Sequence, residues 1–307
     1  MEESKIYDMI ILGGGPAGAT AALYGARAGM SVVVIEQMAL GGEIVATDRL
    51  DNFPAFPDGI SGAEFGMLMQ KQLENLEVPI YYGRIEKAEL EGDIKAIYTS
   101  AGEFQGKTVL IATGTEPNLL NVEGEIALRG RGVSYCATCD AAFFRNKKIA
   151  VVGGGDAALE ETIFLTRFAE KIYLIHRRDK FRGCTWLQDK VLKIPSVEVL
   201  WNTTVSRIEG DKKVSGLVIK QDGQERDLDV EGLFIYAGRK PNTAFLQGVE
   251  LKSDERGFII TNSKMETSID GVYAAGDIRQ TFLRQVVTAA ADGAIAATAA
   301  SQRLYTY

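Results

Sequence analysis

The sequence predicts an α/β protein built from two Rossmann-like nucleotide-binding domains, one inserted into the other. A unit of strand, glycine-rich turn, helix and strand lies near the N-terminus, and a second copy lies near the middle of the chain. The distance from Gly13 to Glu36 is 23 positions, and the distance from Gly153 to His176 is also 23 positions. One glycine motif is weak evidence, but two in the same context and at the same spacing predict a duplicated nucleotide-binding unit.

Both units have the hydrophobic pattern of a βαβ fold. Each starts with a short apolar run, passes through a glycine-rich turn into a helical pattern and ends in a second apolar run. The predicted strand, helix and strand lie at 8–12, 19–28 and 31–35 in the first unit, and at 148–152, 159–168 and 172–175 in the second.

The glycine-rich turns predict two dinucleotide sites. Gly13 permits the tight turn, Gly15 lets the backbone approach a pyrophosphate, and Gly18 lets the helix pack against the strand. We expect the phosphates at the helix N-terminus, where free N–H groups and the helix dipole favour an anion. The predicted binding residues are Gly13, Gly15, Pro16, Ala17 and Gly18 in the first turn, and Gly153, Gly155, Asp156, Ala157 and Ala158 in the second.

A second pair of similar segments predicts how the domains are joined. Residues 109–118 and 233–242 each resemble a closing strand, a glycine turn and a proline linker. We therefore predict one domain over 1–117 and 243–307, and an inserted domain over 118–242.

The residue that ends the second strand of each unit predicts which nucleotide binds. Glu36 accepts hydrogen bonds from free ribose hydroxyls and repels a 2′-phosphate, so the first domain is predicted to bind a dinucleotide with an unmodified ribose, such as FAD. His176, Arg177 and Arg178 favour a 2′-phosphate, and Arg182 is placed to join them, so the second is predicted to bind NADPH. The alternative is a solvated basic patch on a surface loop. We give His176 a binding role rather than a catalytic one.

Cys136 and Cys139 form a Cys-x-x-Cys pair just before the second unit. This spacing brings two thiols close enough to form a disulfide and commonly lowers a thiol pKa. A zinc site needs four ligands, and Cys184 and His176 are the only other cysteine and histidine. Buried structural thiols are another alternative. We predict a redox dithiol, no metal, and no part for Cys184.

Proton transfer at this dithiol needs a group other than histidine. Asp140 follows Cys139 directly and is the candidate acid that protonates a leaving thiolate. The alternative role for Asp140 is to cap the segment that follows it, and the two roles are compatible.

The net charge argues against two classes of partner, although it leaves room for a local basic pocket. The 307 residues carry a net charge of −7, which argues against nucleic acid or a membrane surface as partner. No secretory signal is visible, and Asp292 and Gly293 interrupt the Ala-rich segment 289–300, so we predict a packed helix there rather than a membrane span. The predicted location is the cytoplasm.

Taken together, these motifs resemble those of the low-molecular-weight, bacterial-type thioredoxin reductases over essentially the whole chain. Besides the two glycine turns, the basic cluster and Cys136-Ala-Thr-Cys139-Asp140, the matching segments are Gly41-Gly42, Asn52-Phe-Pro54, Ala112-Thr-Gly114, Ala275-Gly-Asp277 and Arg284-Gln285. Glu43 departs from the family pattern, in which glutamine is common.

The resemblance implies further cofactor contacts and an assembly. Asp277 is expected to bind the ribityl or phosphate region of FAD, with an ordinary helix cap as its alternative. Arg284 and Gln285 are expected near the flavin ring. The remaining residues expected at the FAD site are Gln37, Gly41, Gly42, Asn52, Ala112, Thr113, Gly114 and Gly276. The family also forms homodimers, and aromatic tails cover the flavin in some ferredoxin-linked relatives, which would give such a role to Tyr305 or Tyr307.

The resemblance and the residues predict one reaction. Electrons pass from NADPH through FAD to the Cys136–Cys139 disulfide and then to a thioredoxin-like protein. The alternatives are a ferredoxin-dependent thioredoxin reductase of the same fold, a flavin redox sensor that does not turn over, and a different disulfide partner. Since the dithiol and the NADPH motif share a domain, we also expect the two domains to rotate during turnover.

Overall fold

The computed structural model describes residues 5–47, 49–50 and 52–305. It divides into two compact units, one formed by 1–116 with 240–307 and the other by 117–239. The chain passes between them through β7 (Thr115–Pro117) and β16 (Arg239–Pro241), which pair as a two-stranded sheet.

The strands and helices of each unit follow in chain order. The other strands of the first unit are β1 Ile6–Leu12, β2 Val32–Glu36, β3 Ile80–Tyr82, β4 Ile85–Glu89, β5 Lys95–Thr99, β6 Gly102–Ile111 and β17 Val272–Ala274. Those of the second unit are β8 Val133–Ser134, β9 Lys148–Val152, β10 Lys171–Ile175, β11 Val197–Leu200, β12 Thr203–Gly210, β13 Val214–Gln221, β14 Gln224–Leu228 and β15 Gly232–Ile235. The helices are α1 Pro16–Arg27, α2 Gly62–Glu74, α3 Ala137–Asp140, α4 Asp156–Leu165, α5 Thr185–Leu192 and α6 Val286–Leu304, with 3-10 helices at Gly42–Ala46, Ala141–Phe144, Ala244–Leu246 and Gly276–Ile278.

The first unit contains a seven-stranded sheet in the order β3-β2-β1-β6-β5-β4, with β17 also paired to β6. β1 lies parallel to β2 and β6, and β17 lies parallel to β6. Alternate residues of these strands enter different cores: Met9 and Ile11 pack with α1 and α6, whereas Ile10 and Leu12 pack on the opposite face. Burial on both faces explains why these strands are apolar throughout.

α1 and α6 pack closely because small residues line their contact. A Cβ added to Gly293 of α6 would lie 2.0 Å from the carbonyl oxygen of Ala17 in α1. The end of α6 is tied to β1 through Tyr305, whose hydroxyl donates to Asp8 Oδ2 at 2.8 Å. The aromatic tail therefore packs against its own sheet at Tyr305, and Tyr307 lies outside the described residues.

The second unit combines a parallel five-stranded sheet, in the order β11-β10-β9-β15-β8, with an antiparallel sheet of β12, β13 and β14. The parallel pairings of β9 with β10 and β15 repeat those of β1 with β2 and β6 in the first unit. Apolar clusters cover both faces of the parallel sheet.

The predicted α/β architecture with two Rossmann-like sheets is confirmed, but both βαβ helices begin three residues earlier than predicted. α1 starts at Pro16 and α4 at Asp156, immediately after Gly15 and Gly155. Proline suits the first helical position because its missing N–H would have no helical partner there. The Ala-rich segment forms part of α6, and no helix within the described ranges is long and apolar enough to cross a membrane.

Candidate functional site

The glycine turn of the first unit leaves open space where a phosphate is expected. Gly13 has a φ of +101°, and a Cβ there would lie 2.5 Å from the carbonyl oxygen of Ala112. A Cβ on Gly18 would lie 1.9 Å from the carbonyl oxygen of Gly13, whereas a Cβ on Gly15 would meet nothing within 4 Å. Gly13 and Gly18 are therefore required by close packing, and Gly15 lines an open position at the start of α1.

Glu36 lies at the carboxyl end of β2, and its carboxylate is held by backbone N–H groups. Oε2 accepts from Gly14 at 2.6 Å, and Oε1 accepts from Gln37 at 2.8 Å and Met38 at 2.9 Å. A carboxylate has about four acceptor positions. The three backbone bonds fix the direction of Glu36 and leave acceptor capacity for a ribose hydroxyl.

The Gly41-Gly42 segment packs directly on the glycine turn. The N–H of Gly41 donates to the carbonyl oxygen of Gly14 at 2.9 Å. Gly42 has a φ of +60°, and a Cβ there would lie 3.2 Å from the Cα of Gly15. The two glycine segments thus form one backbone surface with little room for side chains.

The residues that follow β6 lie at the same end of the sheet as the two glycine segments. Ala112 donates its N–H to the carbonyl oxygen of Leu12 at 2.8 Å, which continues the pairing beyond the end of the strand. Thr113 Oγ1 donates to the carbonyl oxygen of Asn242 at 2.9 Å, and Asn242 Nδ2 donates to the carbonyl oxygen of Thr113 at 2.9 Å. Gly114 has a φ of +65°, a conformation that favours glycine.

Asp277 lies within the 3-10 helix Gly276–Ile278 rather than at its cap position, which is Ala275. This helix is held by an ion pair that sequence analysis did not identify. Arg279 donates to Asp292 through Nε at 2.6 Å and Nη2 at 2.9 Å, and Asp292 Oδ2 also accepts from Gly276 N–H at 3.1 Å. Asp292, predicted only as an interruption of α6, anchors the segment that carries Asp277.

Residues from distant parts of the chain meet near the start of α6. Asn52 Nδ2 donates to Gln285 Oε1 at 2.9 Å, which brings two predicted flavin contacts together. The Arg284 guanidinium lies 4.2 Å from the ring centroid of Phe258. Both Arg284 and Gln285 are half-buried.

The donor set of the first unit fits a dinucleotide. The predicted residues follow the carboxyl ends of the parallel strands β1, β2, β6 and β17, which is where ligands bind in open α/β sheets. α1 has no acidic residue in its first turn, so its N-terminal N–H groups are suited to an anion.

The glycine turn of the second unit has the same open position at the start of its helix as the first. A Cβ on Gly153 would lie 2.4 Å from the Cβ of Ala158, whereas a Cβ on Gly155 would meet nothing within 4 Å. Asp156 Oδ1 accepts from the N–H of Cys184 at 2.6 Å, so this side chain holds the start of α5. Ala157 is exposed beside it in the first turn of α4.

His176 lies beneath the second glycine turn. It is 6% exposed, with Nδ1 2.9 Å from the carbonyl oxygen of Gly153 and Nε2 3.0 Å from that of Lys180. Burial lowers the pKa of His176, the two carbonyl contacts raise it, and the charges of Arg182 and Arg178 lower it further. The ring therefore supports the turn through its contacts with these two carbonyl groups and does not present a free nitrogen at the surface.

Arg177, Arg178 and Arg182 are exposed around the same turn. Over the described part of the chain, none of the three guanidinium groups lies within ion-pair distance of a carboxylate. The N–H of Arg182 donates to the carbonyl oxygen of Gly154 at 2.7 Å, which fixes its backbone beside the glycines. Three uncompensated cations at the end of β10 suit a phosphate group.

Cys136 and Cys139 form a disulfide, with their Cα atoms 5.4 Å apart. Cys136 is the cap residue of the short helix α3, and both cysteines are half-buried. They follow β8, so the disulfide belongs to the same carboxyl edge of the same parallel sheet as the second glycine turn. Cys184 is an exposed free thiol.

Two hydroxyl groups hold the dithiol turn in place. Ser134 Oγ donates to Asp140 Oδ2 at 2.6 Å, and Tyr236 Oη accepts from the N–H of Ala137 at 2.8 Å. Burial raises the pKa of Tyr236 well above its usual value, and the charges of Glu161 and Asp140 add to this effect, so the phenol is neutral. Asp140 makes no side-chain capping hydrogen bond to the 3-10 helix after it.

Neither Ser134 nor Tyr236 was predicted from the sequence as a site residue. The only signal was position: Ser134 lies two residues before Cys136, and Tyr236 follows the closing strand of the second unit. Among the described residues, no group of three or more His, Cys, Asp or Glu side chains is arranged to hold a metal ion.

Comparison with known proteins agrees with this geometry. Residues 7–293 match the family model described as pyridine nucleotide-disulphide oxidoreductase. The chain is 44% identical over 297 residues to the thioredoxin reductase of Listeria monocytogenes, covering 96% of this chain and 92% of the relative. It is 42% identical over 300 residues to that of Bacillus subtilis, covering 97% and 94%.

A solved structure is equally similar. The thioredoxin reductase of Streptococcus pyogenes matches with a TM-score of 0.94 at 44% identity, covering 99% of this chain and all of the other.

Two nucleotide-binding folds and a Cys-x-x-Cys disulfide define an oxidoreductase of the pyridine nucleotide-disulphide class. Within that class, the chain belongs to the thioredoxin reductase family.

Proposed function

We propose that this protein is a thioredoxin-disulfide reductase that takes electrons from NADPH through bound FAD. The observation that carries the proposal is the Cys136–Cys139 disulfide at the carboxyl edge of the second parallel sheet, beside a basic nucleotide turn. The domains act as an FAD domain and an inserted NADPH domain that carries the dithiol.

The first unit would hold FAD through its backbone turns. The Gly13–Gly18 turn and the Gly41-Gly42 segment would receive the pyrophosphate, Glu36 a ribose, and Asp277 the ribityl or phosphate region. Asn52, Arg284 and Gln285 would lie toward the ring. When bound, the flavin supplies two-electron transfer between a nicotinamide and a disulfide.

The second unit would bind NADPH through the Gly153–Ala158 turn and its basic rim. Arg177, Arg178 and Arg182 would bind the 2′-phosphate, because arginine grips phosphate through paired N–H groups. His176 would keep the turn in shape from below. Glu36 occupies the equivalent position of the first unit, which supports different nucleotides at the two sites.

The dithiol would act by exchange with the partner disulfide. One enzyme thiol loses its proton and attacks a partner sulfur, so that the partner S–S bond breaks as a mixed disulfide forms. The second enzyme thiol then attacks the first enzyme sulfur and releases the partner as a dithiol. Asp140 would take the proton from each enzyme thiol and give it to the leaving partner sulfur. Two electrons and two protons thus leave the enzyme.

A ferredoxin-dependent reductase of the same fold is the principal alternative. One structural neighbour, at 31% identity and a TM-score of 0.54, is described as a ferredoxin-flavin thioredoxin reductase from Clostridium acetobutylicum. The three exposed arginines favour NADPH for this chain, since a reductase without that donor has no use for a 2′-phosphate site. We further propose a homodimer in the reducing environment of the cytoplasm.

This function is tested by the cofactor that the purified protein contains and by the electron donor that it accepts. The purified protein is expected to be yellow, to release one FAD per chain, and to oxidise NADPH when oxidised thioredoxin is added. FMN in place of FAD, or electrons accepted only from reduced ferredoxin, would contradict the proposal. Flavin reduction with no disulfide turnover would instead identify a redox sensor.

A further inference from the structure

Ser134 links the dithiol turn to the adjacent acid. It is 4% exposed, and its Oγ lies 2.6 Å from Asp140 Oδ2, 3.1 Å from Cys136 N and 3.2 Å from the carbonyl oxygen of Cys136. A hydroxyl has one proton, and bonds to carboxylates are the shorter and stronger ones. The proton therefore points to Asp140, while the oxygen accepts the N–H of Cys136.

Ser134 is itself held in place by the parallel sheet. Ser134 ends β8, where it lies opposite Phe234 of β15, and Val133 beside it lies opposite Leu233. Cys136 and Asp140 lie at the two ends of the short helix α3. One buried hydroxyl thus ties both ends of the dithiol turn to the parallel sheet.

We propose that Ser134 is a positioning residue for proton transfer at the dithiol. It orients the Asp140 carboxyl and stabilises its ionised form, which takes the proton from each enzyme thiol and is restored when that proton passes to the partner sulfur, since a hydrogen bond to a carboxylate favours the charged state. This inference rests on the proposed reductase function, in which each enzyme thiol passes its proton through Asp140.

Tyr236 provides a matched control. Its hydroxyl also holds a backbone N–H of the dithiol turn, that of Ala137, at 2.8 Å. Among the described residues, this hydroxyl anchors the turn and makes no hydrogen bond to Asp140. Loss of this hydroxyl therefore tests how much anchoring of the turn contributes by itself.

The test follows reoxidation of the enzyme dithiol across a range of pH. Enzyme reduced with dithiothreitol and desalted without oxygen is mixed with oxidised thioredoxin or with bis(2-hydroxyethyl) disulfide, and the remaining thiols are counted by maleimide labelling after an acid quench. The variants are Ser134→Ala, Ser134→Thr, Tyr236→Phe, Asp140→Asn and Ser134→Ala combined with Asp140→Asn. The alkyl disulfide is included because its leaving thiol needs a proton but no docking surface.

Ser134→Ala is expected to slow reoxidation by both oxidants about tenfold, a fraction of what a general acid contributes. The profile of its rate against pH is expected to move to higher pH by about half a unit, because the carboxylate loses a hydrogen bond that favours its ionised form. Ser134→Thr keeps the hydroxyl and most of the rate. Tyr236→Phe leaves the position of the profile unchanged, and the double variant is no slower than Asp140→Asn.

An unshifted profile in Ser134→Ala, a further large loss in the Asp140→Asn background, or no effect of Asp140→Asn would each overturn the inference. Its failure is distinguishable from failure of the proposed function. Wild-type enzyme that reduces the alkyl disulfide but not thioredoxin would refute the partner assignment, and Ser134 would still be judged on the alkyl disulfide.

Discussion

At the scale of single residues, charge at the ends of two equivalent strands is the clearest difference between the two nucleotide units. Glu36 ends β2 with a carboxylate held by three backbone N–H groups. Arg177 and Arg178 follow β10 and are exposed. Because both strands lead from a glycine-rich turn at the same spacing, we propose that these side chains select the nucleotide.

Replacing both Arg177 and Arg178 by glutamine is expected to weaken NADPH binding and to narrow its preference over NADH. Each lost hydrogen bond to a charged phosphate costs about 1.5–3 kcal/mol, so the KM for NADPH should rise at least about tenfold. Steady-state kinetics with both donors measures this. If the double variant preferred NADPH over NADH as strongly as wild type does, the arginines would be only a surface patch.

Residues that act through hydrogen bonds of the folded chain, without a sequence pattern of their own, were not predictable. The glycine turns, the dithiol and the basic cluster are local patterns, so the sequence predicts them directly. Ser134, Tyr236 and Asp292 have no such pattern, because their importance depends on hydrogen bonds to Asp140, Ala137 and Gly276. His176 was assigned to binding by position, but its burial and two carbonyl contacts depend on the folded turn.

At the scale of the elements, helix starts were the least predictable feature. In both units the helix begins directly after the third glycine of the turn, so that Gly18 and Ala158 lie inside α1 and α4. Residues 16–18 and 156–158 were assigned to the glycine-rich motif rather than to the helices, and in the first unit Gly18 also has a low helix propensity. Tertiary packing decides otherwise, since only glycine fits at Gly18, beside the carbonyl oxygen of Gly13.

Asp292→Asn tests how α6 supports the predicted flavin site. The variant breaks a bidentate pair with Arg279, whose side chain is 17% exposed, and breaking such a pair costs about 3–5 kcal/mol. It should also lower FAD affinity, because Asp292 holds the segment that carries Asp277. Asp270→Asn on the exposed pair with Arg303 is the control, with an expected cost below about 1 kcal/mol. Equal FAD affinity in both variants would refute the role of Asp292.

The contact between β1 and the end of α6 should make the free energy of unfolding depend on pH in the acidic range. Burial raises the pKa of Asp8, but Lys107, Ser31 and Tyr305 outweigh it and bring the pKa to about 2. Since the folded pKa lies below the unfolded value, the stabilisation is present above about pH 4 and is lost as the pH falls toward 2.

Asp8→Asn is therefore expected to cost about 2 kcal/mol at pH 7 and progressively less below about pH 4. The measurement is urea unfolding of the first unit, monitored by the release of flavin. Tryptophan fluorescence would report on the other unit, because both tryptophans lie there. A difference between variant and wild type that is constant down to pH 3 would contradict the assignment.

At the scale of the whole molecule, the arrangement of sites implies motion. The dithiol and the proposed NADPH turn belong to one unit, and the proposed flavin site belongs to the other. Both nicotinamide and disulfide must approach the flavin ring closely, at about 3–3.5 Å for hydride transfer.

We predict a rotation of the units about the paired linkers β7 and β16 in each turnover. A reversible cross-link between the units should permit one half-reaction and block the other, and cleavage of the link should restore both. A locked enzyme that turns over at the normal rate would show that rotation is unnecessary.

The central claim is that electrons travel from NADPH through the flavin to Cys136 and Cys139, and then to thioredoxin. The most direct test is an anaerobic comparison of wild type with Cys136→Ser and Cys139→Ser, following flavin absorbance and thioredoxin thiols in the same sample. Wild type is expected to form one thioredoxin dithiol for each NADPH consumed. Each variant should show flavin reduction by NADPH and no thioredoxin reduction, whereas substantial thioredoxin reduction by both variants would contradict the claim.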